Sequence, residues 1–163
     1  MTGVTMTEPI AVPEKLSDLI RLAIADGRKL YQERPNDYYP NYGRYHGYRI
    51  RNNDESDEEG PFDACHICLA GAVMAGTLQV PLESVSIQRI RPPWHSALLA
   101  LDNVRDGMYR EAINTFYNVD RQYELTPWTR AEPVNPMFQG WDEFLEHLDS
   151  LEAVAGFLEF NGF

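Results

Sequence analysis

Cys65-His66-Ile67-Cys68 gathers the most reactive side chains of this 163-residue chain, two thiols three positions apart with an imidazole between them. The stretch from Asp63 to Leu78 reads as a helix, with the Asp63 carboxylate placed to cap it by accepting backbone N–H bonds. On such a helix the spacing of three puts both sulfurs on one face, near the positive end of the dipole, where a thiolate is favoured. An adjacent His66 would lower a thiol pKa further, which is the electrostatic logic of a dithiol redox site. A thioredoxin-like site, however, has an apolar strand directly before its cysteines. Here the preceding residues form an acidic loop, whose charge opposes a thiolate.

Other thiol chemistry meets similar obstacles. The order Cys-His-x-Cys is not the Cys-x-x-Cys-His of haem attachment. Zinc needs two further ligands, and His46, His95 and His147 lie at a distance with no second paired motif. A papain-like hydrolase also carries its nucleophile at the start of a buried helix, and His95 follows the cysteines in the chain order of a base. Yet His95 sits in Pro92-Pro93-Trp94-His95, at a helix start rather than on a strand. Cysteine is among the most buried residue types, so a core role for Cys65 and Cys68 leads. A thiol-dependent enzyme, redox or hydrolytic, using Cys65 or Cys68 with His66 or His95, is the alternative. No cofactor or metal is expected.

Charge is the second signal. The formal net charge is −11, and it divides into +2 for residues 1–51, −7 for 52–88, +1 for 89–130 and −7 for 131–163. Neither acidic block contains a basic residue. Such a field repels nucleic-acid phosphates and membrane surfaces and attracts basic partners. Asp57, Glu58 and Glu59 fall in the Asn52–Gly60 stretch, which has nothing to bury and reads as a mobile acidic loop. Asp142, Glu143, Glu146, Asp149 and Glu152 follow helical spacing, with Asp142, Glu146 and Asp149 on a stripe opposite Trp141, Phe144, Leu145 and Leu148. A carboxylate stripe of this kind can imitate a phosphate backbone to a DNA-binding protein.

Six tyrosines (Tyr31, Tyr38, Tyr39, Tyr42, Tyr45 and Tyr48) are interleaved with Arg28, Lys29, Arg34, Arg44, Arg49 and Arg51. That mixture serves stacking on single-stranded nucleic acid, but the overall acidity and the lack of an RNA-binding signature favour an ordered loop over the core. Where exposed, Tyr38, Tyr39, Tyr42 and Tyr45 would form a protein-binding patch.

The elements that must position these residues are mostly helical. Leu16, Leu19, Ile20, Ala23, Ile24 and Leu30 recur at helical spacing after Pro13, which suits a first turn, and Pro35 ends the run. Gly27 is a weak point inside it. In Asp63–Leu78 small residues alternate with Ile67, Leu69, Val73, Met74 and Leu78, the pattern of a buried helix, and close approach of another backbone would compensate Gly71 and Gly76. Ser84–Ile90 reads as a short strand whose candidate partner is Tyr48–Ile50. Trp94–Val104 and Tyr109–Tyr117 make a helical hairpin broken at Asp106-Gly107. Pro127–Gly140 is a loop. Trp141–Leu148 and Leu151–Leu158 read as two final helices, closed by Asn161-Gly162.

The expected fold is mainly α: a flexible 1–12, then a single-domain helical bundle over 13–163. It has about five or six helices around a buried small-residue helix, with room for one short β-hairpin. No apolar run reaches the roughly 20 residues of a membrane span, Met1–Val12 lacks signal-peptide character, and two closely spaced cysteines supply no disulfide framework. A cytoplasmic location and no membrane partner are expected.

Cys68-Leu69-Ala70-Gly71-Ala72, after a helix of the type Leu-Ile-Arg-Leu-Ala-Ile-Ala-Asp-Gly and before Ala97–Gly107, resembles small proteins encoded by bacteriophages and bacterial mobile elements. The likeness covers about two-thirds of the chain and carries over no catalytic residue. It implies a context, the host cytoplasm, and a mode of action in which a small acidic protein binds and modulates or inhibits a host protein with a basic face, such as nucleic-acid-handling or defence machinery.

Overall fold

The computed structural model describes residues 10–48, 63–127 and 132–163. Among them the architecture is mainly α, with five α-helices, a 3-10 turn and one small three-stranded sheet. The first helix, α1, spans Leu16–Glu33 and buries Leu16, Leu19, Ile20, Ala23, Ile24 and Leu30, the face read from their spacing. It opens three residues after Pro13, not at it. Its first amides are satisfied from elsewhere in the fold: Leu16 N–H donates to the Tyr117 hydroxyl at 3.1 Å and Ser17 N–H to the Phe163 carbonyl at 3.1 Å.

The last helix, α5 (Gly140–Phe160), lies antiparallel to α1, with Tyr31 against Trp141, Gly27 against Phe144 and Leu148, and Arg21 against Glu159. It replaces the two separate helices expected here. The apolar stripe Phe144, Leu148, Leu151, Ala155, Leu158 passes through Asp149-Ser150 without a break in helical phase, and no Gly or Pro interrupts it there. Gly27 is no weak point in this setting. A Cβ there would stand 2.8 Å from the Leu148 side chain, so the glycine lets the two helices close on each other.

The Asp63–Leu78 helix is the main correction. Cys65–Ile67 is a strand, β3, and the helix that follows, α2, spans only Leu69–Ala75. Residue pairing explains the change of state. β3 lies between β1 (Tyr38–Pro40, parallel) and β2 (His46–Tyr48, antiparallel), so the cysteine segment finds backbone partners on both sides. Cys65 N–H adds a bond to the Asp37 carbonyl at 2.8 Å. Asp63 therefore caps nothing, and Cys68, extended at the N-cap of α2, shares no helix face with Cys65. The tyrosine-rich stretch supplies the two outer strands, one of them parallel to β3, instead of a lone hairpin.

Ser84–Ile90 is not a strand either. It touches β2 through a single bridge, Val85 to His46, then turns into the 3-10 segment Ile87–Arg89. Residues 49 and 50, the rest of its expected partner, lie outside the described residues, as do the acidic stretch 52–60 and residues 1–9. Helices α3 (Trp94–Arg105) and α4 (Tyr109–Tyr117) are separated at Gly107, whose φ of +78° suits glycine. Residues 69–74 of α2 are all buried.

Candidate functional site

The β3–α2 turn holds the cysteines, and its geometry sets what they can do. Cys65, His66 and Cys68 are fully buried. Burial pushes the Cys65 thiol up to about 11 and the Cys68 thiol up to about 12, so both are protonated at neutral pH. The His46 imidazole lies against Cys65, with Nδ1 at 3.5 Å from Sγ. The same Nδ1 lies 3.0 Å from the Glu83 carbonyl, which can only accept. Nδ1 thus carries the proton and donates it to Glu83, which leaves it no lone pair with which to take a proton from the thiol. Burial lowers the His46 pKa and keeps the ring neutral.

The other histidines are placed elsewhere. His66 stacks against Tyr39, ring centroids 5.0 Å apart, and faces the Asn41 amide at 3.5 Å. His95 stands half-buried on the first turn of α3. His147 is buried on α5 against Phe138, with Nδ1 at 3.3 Å from the Val134 carbonyl, and burial depresses its pKa to about 4. Among the described residues, no group of three or more His, Cys, Asp or Glu side chains is arranged to hold a metal ion.

Gly71 shows how tightly this turn is closed. A Cβ there would lie 1.5 Å from the Tyr45 carbonyl oxygen, the atom that accepts from Cys68 N–H at 3.3 Å. The close backbone approach expected at Gly71 is therefore real. At Gly76 the neighbour is a side chain, that of Asp26.

The tyrosines are committed to internal contacts. Tyr38 is buried edge-on to His46, and Tyr39 packs on His66. Tyr42 lies under the Arg105 guanidinium and also offers it its carbonyl, while Tyr45 donates to Asp102 at 3.2 Å. Asp102 and Arg105 both stand on α3, where they pair with each other at 3.1 Å, so the contacts from Tyr42 and Tyr45 tie this loop to that helix. Of the interleaved cations, Arg34 pairs with Asp37 and Arg28 with α5, and Arg44 is half-buried. Arg49, Arg51, Asp57, Glu58 and Glu59 lie outside the described residues.

The carboxylates of α5 divide into two sets, all exposed. Asp149 and Glu152 pair with Arg28 at 2.8 and 3.1 Å, and Glu159 pairs with Arg21 at 3.0 Å. Asp142, Glu143 and Glu146 have no cationic partner among the described residues. Glu143 reaches back to the Gln139 amide at 3.0 Å in the manner of a capping box, and Glu146 accepts from the Asn135 side chain. The segment carrying Asn135 runs back along the helix, held by Val134 N–H to Ser150 Oγ at 2.9 Å. It exposes Val134 and Met137, 54% and 61% accessible, beside the unpaired carboxylates. Sequence reasoning passed over these two residues. Their signal was two large apolar side chains in the proline-rich run Pro133-Val134-Asn135-Pro136-Met137, where no helical face exists to bury them.

Comparison of the chain with protein-family models, with curated proteins and with solved structures finds no match to any of them. No helix among the described residues is long and apolar enough to cross a membrane.

Proposed function

We propose that this chain is a non-enzymatic binding protein that docks on a protein with a basic face, using the first two turns of α5 and the segment folded back along them. One observation carries the reading: Asp142, Glu143 and Glu146 are exposed without cations among the described residues, next to exposed Val134 and Met137. Unneutralised carboxylates beside exposed apolar side chains supply both steering and a desolvated contact. The buried, protonated thiols and the donor orientation of His46 favour this reading over thiol chemistry.

The resemblance to small phage and mobile-element proteins gives the proposal its setting. The partner would be a host protein with a basic surface, bound in the host cytoplasm and modulated or inhibited, with the helices gathered as a bundle around α2 as the scaffold. Wild type and an Asp142→Lys/Glu143→Lys/Glu146→Lys variant, each immobilised in host lysate at physiological salt, test it. A stoichiometric protein retained by wild type and absent from the variant is the expected result. Retention of the same proteins by both, or of none by either, overturns it.

A further inference from the structure

Asp26 is the one buried carboxylate residue among the described residues, and its hydrogen bonds all fall on one oxygen. It is only 9% exposed, on the inner side of α1. Its Oδ2 oxygen accepts from Thr77 twice, from N–H at 3.1 Å and from the hydroxyl at 2.6 Å. Its Oδ1 oxygen accepts no hydrogen bond among the described residues. The absence of a Cβ at Gly76 leaves it room, since one there would lie 2.7 Å from Oδ1. Asp26 lines a groove of about 690 Å³ between the second half of α1 and residues 75–82. Along α1 the groove follows Asp26, Leu30 and Glu33, about 10 Å of helix at 1.5 Å per residue.

The charges around the groove point to the sign of a ligand. Arg34 is committed to Asp37 at 2.9 Å, and Glu33 has no ion-pair partner among the described residues. Lys29 also lines the groove but forms no ion pair with Asp26. Burial raises the Asp26 pKa, and the hydrogen bonds from Thr77 and the attraction of Lys29 offset it only in part. The molecule as a whole carries −11 and draws cations rather than anions.

We propose that this groove is a binding site for a guanidinium or ammonium group, which pairs with Asp26 and Glu33 while its alkyl stem lies along Leu30, Val80 and Leu82. Lys29 opposes the ligand and sets its affinity. The cation comes from a free small amine or from a basic side chain of a protein partner. The site uses none of the α5 residues, so it can fail while the docking face stands, and the reverse.

The test is a titration of the ¹⁵N-labelled protein with two probes, argininamide and the capped peptide acetyl-Gly-Gly-Arg-Gly-Gly-amide, in wild type, Asp26→Asn and Lys29→Gln. Saturable amide shifts centred on Leu30, Gly76 and Thr77 are expected. Asp26→Asn should weaken binding about tenfold, because a charge-assisted hydrogen bond becomes a neutral one, and Lys29→Gln should tighten it about threefold by removing a like charge. Saturation by argininamide alone assigns the site to small amines, by the peptide alone to a partner's side chain, and by both to the head group whatever carries it. No saturable shift, shifts confined to residues 142–146, or an affinity unchanged in Asp26→Asn overturns the proposal. Should Asp26→Asn not fold, Lys29→Gln decides alone, and binding no tighter than wild type overturns it.

Discussion

Cys65–Gly71 and Asp142–Glu146 are both chemically conspicuous stretches at the start of a helix, and they meet opposite surroundings. Around Gly71 there is no space: the Tyr45 carbonyl occupies the position a Cβ would take, and the thiols nearby are buried and protonated. Around Asp142–Glu146 there is solvent, and no cation among the described residues answers the charge. Reactivity depends on access and on a neighbouring group in the right protonation state, so the first stretch is poorly placed for thiol chemistry, while the second is the face that the proposed docking uses. Changes in the first should move stability and leave binding alone. Changes in the second should act mainly on binding.

Gly71→Ala is the strongest way to break that contrast. No rotamer can relieve a backbone oxygen at 1.5 Å, so β2 or α2 must shift, at an expected cost above about 4 kcal/mol, and the variant should populate little native state. A urea melt close to wild type would show that the turn can open at little cost.

Acidification comes next. His147 has an ordinary value of 6.5 and is depressed to about 4 by burial, so the folded protein binds fewer protons than the unfolded chain between those values. Its contribution to stability is complete above about pH 6.5 and is lost as the pH falls toward 4, about 3 kcal/mol in all. Unfolding free energies measured from pH 7 to 4 should show this slope, and His147→Phe should remove most of it. An unchanged slope in the variant would move the acid sensitivity elsewhere.

Cys65→Ala and Cys68→Ala should each cost about 1–2 kcal/mol through poorer packing and leave partner binding unaltered. Both native thiols should react with Ellman's reagent only on unfolding. Rapid labelling of either in the folded protein would reopen the thiol reading.

Changes to the charges on and around α5 carry modest stability effects and the largest expected binding effects. Arg28→Ala should cost less than about 1 kcal/mol, because its pairs are exposed. It also strips the cation from Asp149 and Glu152, so the proposed basic partner should associate faster at low salt, and an unchanged rate would count against an electrostatic docking face. The triple lysine variant at 142, 143 and 146 loses the Glu143 bond to the Gln139 amide and puts cations at the positive end of the helix, at a cost of about 1–2 kcal/mol, and should no longer bind the proposed partner.

Much of the helical framework could be read locally. The apolar face of α1, the break at Asp106-Gly107 and the close of the last helix at Asn161-Gly162 follow from periodicity and from glycine at Gly107 and Gly162, whose φ angles are +78° and +92°. The division of α5 into two helices missed that Leu148 and Leu151 are themselves in helical phase. The Cys65–Ile67 strand was not legible, because Asp63–Leu78 is a nearly continuous run of small and apolar residues that suits a buried helix or a buried strand alike. Its state was decided by β1 and β2, 17 or more residues upstream, which provide backbone partners on both sides.

The carboxylates of α5 show the same limit in charge. Sequence alone determined that residues 131–163 carry seven acids and no base, and that five of them, Asp142, Glu143, Glu146, Asp149 and Glu152, follow helical spacing. Only the antiparallel seating of α1 on α5 decided which of them keep their charge unanswered, because Arg21 and Arg28 reach the second half of the helix and not the first. It is likewise the fold that puts Asp26 beside Gly76 and Thr77, the latter 51 residues later in the chain, and gathers its hydrogen bonds among the described residues on one oxygen. Amino-acid type sets what a group can do, but burial, neighbours and the direction of a single ring proton are long-range properties, and they exist only once distant segments have met.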